Sequence, residues 1–183
     1  ESGEALARVQ VEARDKAVVL RALTEATTAI RASLGESLSS IRQGERHAIT
    51  EVTTPSLDAF QAYAQGADLY RQGHTAQAIP FFRRATELDP DFAMAFQLLG
   101  NAYQSTGEQT EAIACSKRAF ALLDRVSERE RLAIAAVYHM RVTGDVANGA
   151  DAVNQFVNAF PTAPTPRAYR ASFYASIGQF ENA

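Results

Sequence analysis

Gly66 and Gly100 stand 34 residues apart, and at that offset Gly73 pairs with Gly107, Ala78 with Ala112, Ile79 with Ile113, Ala85 with Ala119 and Leu88 with Leu122. A fixed period of this length marks a stacked repeat. Each unit is a supersecondary element that cannot bury its own apolar face, so its neighbours must cover it. Between the glycines run long stretches rich in Ala, Leu, Arg and Glu, which favour helix. Strand-like alternation is confined to residues 8–12, too short to count.

The spacing predicts two antiparallel helices per unit, here called helix A and helix B. In the first unit helix A runs from Ala59 to Arg71, Gly73 turns the chain, and helix B runs from Thr75 to Leu88. Asp89-Pro90 ends it, because proline disfavours helix in the residue before it. The second unit runs from Ala93 to about Val126. Gly66 and Gly100 fall where helix A must approach helix B closely. Ala78, Ala85, Ala112 and Ala119 keep the contact thin from the other side. Phe82, Phe96, Leu99 and Tyr103 are expected to fill the layers between helices.

A helix–turn–helix unit of this length, with Gly66, Gly73, Ala78, Phe82, Ala85 and Pro90 in order, resembles the tetratricopeptide repeat. The second unit matches through Phe96, Leu99, Gly100, Tyr103, Gly107, Ala112 and Ala119. Ala62 and Gln65 depart from that pattern at positions normally large and apolar, Ser116 replaces an aromatic residue, and Asp124 replaces proline. A third unit, about residues 130–163, keeps a weaker register. Ser127-Glu128-Arg129-Glu130 has the form of a capping box, Gly144 takes the turn, Gly149 the small position and Pro161 the end. Phe156 stands where alanine is normal, so helix packing there must differ. A fourth unit starts near Pro164 and matches at Tyr174 and Gly178 before the sequence stops at Ala183. Half a repeat leaves an apolar face uncovered, so the natural protein is expected to continue. The sequence also lacks an initiating Met, which suggests a piece of a longer or processed chain. The resemblance implies an all-α solenoid of antiparallel helix pairs, a superhelix, over residues 55–183.

Residues 1–54 read as an N-terminal helical segment and linker. Val19 or Leu20, Leu23, Ala26, Ile30 and Leu34 recur at helical spacing from about Asp15. Gly35 suits a C-terminal cap, Leu38 and Ile41 form a short amphipathic run, and Gln43–Thr54 is a polar linker. Thr54 is the expected N-cap of the next helix, with Pro55 in its first turn. The segment is expected either to cap the first repeat or to be the tail of an upstream domain, Val9 and Val11 hinting at a strand end.

The stretches 34–41 and 53–59, followed by the repeats, are similar to the C-terminal sensor regions of bacterial membrane-anchored serine/threonine kinases and related regulators. Residues 127–131 and 142–145 fit that pattern too. The likeness implies a non-catalytic sensor or adaptor module; no kinase motif is present to carry over. Its compartment stays open between cytoplasmic and extracytoplasmic.

Net charge is −3 and the pI about 5.7, which argues against a nucleic-acid binder. A lone cysteine, Cys115, rules out an intrachain disulfide framework and a multi-cysteine zinc site. There is no apolar run of membrane-spanning length. His47, His74 and His139 are isolated, with no second ligand at metal spacing, so no metal or cofactor is expected. Cys115 reads as a small, half-buried hydrophobe. The run Glu128-Arg129-Glu130-Arg131 reads as a solvated face. No phosphate loop or nucleophile elbow is present, so an enzyme is not expected.

The repeat resemblance places ligands on a concave face lined by helix A residues. Carried onto this chain, that face is Phe60, Tyr63, Ala67, Tyr70 and Arg71, then Met94, Gln97, Asn101, Gln104 and Ser105, then Arg131, Ile134, Tyr138, Arg141 and Val142. Tyrosines offer flat contact, amides bond a peptide backbone, and Arg71 or Arg141 can take a carboxylate bidentately. Tyr63, Tyr70, Arg71, Gln97, Asn101, Gln104, Tyr138 and Arg141 are the candidate groove residues. The tyrosines can equally pack against neighbouring helices. Tyr63 and Ala67 stand where a lysine-and-asparagine carboxylate clamp would need its first pair, so no such clamp is expected. The expected partner is a protein or peptide in the groove. Self-association into a homo-oligomer is the alternative.

Overall fold

The computed structural model describes residues 54–179, together with Gln10, Val19, Ala22, Glu25, Ala26, Ala29 and Ile30. Among the described residues from 54 to 179 there are seven α-helices and no strand. They are α1 (Leu57–Arg71), α2 (Thr75–Leu88), α3 (Ala93–Thr106), α4 (Gln109–Phe120), α5 (Glu128–Tyr138), α6 (Val146–Ala159) and α7 (Pro164–Ser176). A 3-10 turn, Leu123–Arg125, links α4 to α5, and a π turn, His139–Thr143, ends α5. Helices adjacent in sequence pack together, each A on its B and each B on the next A. The chain is therefore the expected stack of helical pairs, with α1, α3, α5 and α7 as the A helices.

The turns follow the glycines. Gly73, Gly107, Gly144 and Gly178 all adopt left-handed backbone, at φ 83°, 88°, 65° and 75°. A side chain is strained in that conformation, so glycine fixes where each A helix stops. The capping box is present. Ser127 Oγ accepts from the Glu130 amide at 3.3 Å, and Glu130 accepts from the Ser127 amide at 3.1 Å.

The start of α1 differs from expectation. Its N-cap is Ser56, whose Oγ accepts from the Ala59 amide at 3.2 Å. Thr54 instead donates to Asp89 across the unit at 2.5 Å, which ties the entrance of α1 to the exit of α2. Val19, Ala22, Glu25, Ala26, Ala29 and Ile30 are helical, with Ala22 buried and Ile30 exposed. The Gly35 cap, the Leu38–Ile41 run, the strand hint at Val9 and Val11, and most of the 43–54 linker lie outside the described residues.

Small residues set the helix spacing. A Cβ on Gly66 would stand 2.8 Å from the Phe82 ring. One on Gly100 would stand 3.1 Å from Cys115 Cβ and 3.2 Å from the Ala112 carbonyl. Gly149 works between units: its Cβ would meet the Phe173 ring of the next A helix at 2.4 Å. Phe82, Leu99, Ala78 and Ala102 make one buried layer, and Ala93, Ala119, Leu122 and Ile134 make another. Phe156, at its unusual position, is buried against Leu132, Ala133, Phe160 and Ala163. Edge-on contacts to Phe160 and Tyr169, both at 5.8 Å, hold its ring.

Candidate ligand-binding groove

The four A helices face one open pocket of about 540 Å³. The first unit contributes Tyr63 and Tyr70. The second contributes Met94, Leu98, Asn101, Gln104 and Ser105. Val137, Met140 and Arg141 come from the third, and Thr165, Ala168, Tyr169 and Ser172 from the fourth. Five of the eight candidates therefore meet in one place: Tyr63, Tyr70, Asn101, Gln104 and Arg141.

The ends of the pocket differ because the A helices run in the same direction. Near their starts lie Tyr63, Met94, Leu98, Ala168 and Tyr169, a mainly apolar and aromatic wall. Near their ends lie Tyr70, Gln104, Ser105 and Arg141, which are polar. Tyr63 is both lining and packing: its ring lies 4.9 Å from Phe92 and 6.1 Å from Phe82, and burial raises the pKa of its phenol. The Tyr70 hydroxyl stands 3.5 Å from Ser105 Oγ, the outer limit of a hydrogen bond.

Arg141 is the only charged side chain lining the pocket among the described residues. Its Nη1 donates to Ser116 Oγ at 2.7 Å and its Nη2 to Asn101 Oδ1 at 2.9 Å. Ser116 is itself buried and donates to the Ala112 carbonyl at 2.9 Å. Ser116 follows Phe82 by 34 residues, just as Gly100 follows Gly66. In the first unit a phenyl ring closes on Gly66. In the second, Ser116 is too short to do so, and Arg141 Nη1 takes that place, 3.2 Å from where a Gly100 Cβ would stand. The departure from the repeat pattern at Ser116 is thus the seat of a guanidinium from the next unit. Burial depresses the Arg141 pKa. Its hydrogen-bond acceptors are the neutral oxygens of Ser116 and Asn101, and no carboxylate stands among the groups that act on it.

Three candidates lie elsewhere. Arg71 is exposed and paired with Asp68 on its own helix. Gln97 is fully buried beneath the pocket; the Tyr169 hydroxyl approaches it, but neither amide atom completes a hydrogen bond. Tyr138 turns away from the pocket and stacks on Phe120, with centroids 3.7 Å apart and planes at 17°. The physical reason is the π turn, which holds one more residue than an α turn. Counting back from Gly144 therefore stops one residue short, and Val137 occupies the place expected for Tyr138. Thr165, Ala168, Tyr169 and Ser172 extend the pocket into the fourth unit, beyond the three units on which the repeat resemblance places the concave face.

Among the described residues no three His, Cys, Asp or Glu side chains gather to hold a metal, and no helix is long and apolar enough to cross a membrane. Cys115 is half-buried, and burial pushes its thiol pKa up to about 11, away from nucleophilic use. His139 packs edge-on against Phe120 and Tyr138.

Residues 59–92 match a family model described as tetratricopeptide repeat, and residues 81–114 match a second model of that description. Residues 59–114 carry tetratricopeptide repeats by these matches, and the stacked helical pairs continue the same architecture to Ser176. Such repeats generally act as protein-interaction scaffolds and are typically non-catalytic. No curated protein matches the chain.

Proposed function

We propose that the concave face of α1, α3, α5 and α7 holds an extended segment of a partner protein, and that the chain is the recognition part of a larger bacterial signalling protein. The observation that carries this reading is the convergence of four A helices on one open pocket with hydroxyls, amides and a guanidinium at one end and an apolar wall at the other. An extended backbone needs such amide and hydroxyl partners, and its side chains need apolar seats. The sensor-region likeness of residues 34–41 and 53–59 supports the signalling context.

The test is selection from a library of short random segments displayed without a free C-terminus, on the natural chain and on a Tyr70→Ala/Gln104→Ala variant. Gln104 is exposed, whereas the Tyr70 ring packs edge-on against Phe82 at 6.3 Å, so selection is run well below the variant's own thermal midpoint, where its helical circular dichroism matches the natural chain. The expected result is a set of segments enriched on the natural chain and lost on the variant. Equal enrichment on both would remove the concave face as the binding surface.

A further inference from the structure

Arg141 is an ion without a counterion. Its guanidinium is half-buried, donates only to the neutral oxygens of Ser116 and Asn101, and makes no ion pair among the described residues. The arginine ion pairs among the described residues all lie on the exposed surface with a carboxylate: Arg71 with Asp68, Arg84 with Glu87, Arg118 and Arg125 with Asp91, Arg131 with Glu128. Withdrawing a charge from water without an opposite charge is unfavourable. Here the fold goes further and builds a seat for it. Phenylalanine is absent at position 116, glycine stands at 100, and a π turn, a rare element that recurs at functional sites, sets Met140 and Arg141 side by side on the pocket wall.

We infer that Arg141 receives an acidic side chain, aspartate or glutamate, of the bound segment, with an apolar neighbour in that segment resting on Met94, Leu98 and Val137. This rests on the concave face being the binding surface. Three features point to this chemistry. The lining has one positive charge and no negative one among the described residues, so charge complementarity calls for one anion. Arg141 Nη1 and Nη2 are held by Ser116 and Asn101, so the guanidinium is oriented before the ligand arrives and little is lost in ordering it. The lining extends from the first unit to the fourth while Arg141 is in the third. A chain crossing the face therefore passes it with repeats on both sides, which makes the acidic group a side chain along the segment.

The same displayed library, which offers no terminal carboxylate, tests this. On the natural chain the enriched segments should carry Asp or Glu next to an apolar residue. On Arg141→Gln, which removes the charge, that acidic preference should vanish, and on Arg141→Lys, which keeps it, the preference should persist. Replacing Glu by Gln in the strongest segment should weaken binding about tenfold or more on the natural chain and leave the Arg141→Gln protein nearly unmoved. Enriched segments without an acidic residue, still lost on Tyr70→Ala/Gln104→Ala, would overturn the Arg141 assignment while the groove stands. No enrichment on any form would overturn the groove reading and this inference with it.

Discussion

Adding one methyl group to Gly66 should destabilise the first repeat, even though alanine is the better helix former. The new Cβ would lie 2.8 Å from both Cδ1 and Cε1 of Phe82 and 3.2 Å from Phe81 Cβ. Phe82 is fully buried, so its ring cannot swing into solvent. Overpacking of this kind costs about 1–3 kcal/mol. The gain in helix propensity on replacing glycine by alanine is about 1 kcal/mol. The net loss should be about 1 kcal/mol, a fall of roughly 2–4 °C in Tm for a chain of this size. The decisive comparison is the same substitution beside Phe82→Ala. That truncation alone costs about 3–5 kcal/mol, but it empties the space the Gly66 methyl needs. Only the propensity gain is then left, so Gly66→Ala should now stabilise by about 1 kcal/mol. Urea unfolding of the four proteins gives the coupling as a double-mutant cycle. If Gly66→Ala stabilises equally with and without the Phe82 ring, the close A–B approach is not what that glycine serves.

Pro80 lies inside α2, where it removes one backbone hydrogen bond and faces solvent; Pro80→Ala should stabilise by about 2–3 kcal/mol, read as a higher urea midpoint. Ser127→Ala breaks the capping box of α5 and should cost about 1 kcal/mol by the same measurement. With its thiol pKa near 11, Cys115 should be alkylated by iodoacetamide at pH 8 about a hundredfold more slowly than a free thiol, because far less of it is thiolate. The rate should climb through about pH 10–11 while the helical circular dichroism holds; fast alkylation at pH 8 would contradict the buried placement.

The stack was legible because its determinants are local. Four turn glycines, a proline after α2 and a Ser-x-x-Glu box each act within a few residues, and each does so in the structure. Thr54 was misread as a cap because its side chain is drawn to Asp89, 35 residues away, a contact no local pattern announces. The candidate site was half legible for the same reason. Tyr63, Tyr70, Asn101 and Gln104 follow from helical register alone. Tyr138 does not, because no compositional signal announces the π turn that shifts it by one place. Gln97 shares the register of the groove residues but lies beneath Tyr169, from a unit whose concave face had not been assigned. Arg141 was named from its type and place. Its seat became clear only when Ser116, already visible as a departure from the repeat pattern, was found beneath it.

The central claim is that the A-helix face, and not the outer surface of the B helices, receives the partner. A photo-cross-linking side chain placed at Gln104, on the pocket rim, and separately at Arg84, exposed on α2, tests it with the strongest segments from the displayed library. The account predicts a covalent adduct from position 104 and none from position 84. An adduct from position 84 alone, or equally from both, would contradict it.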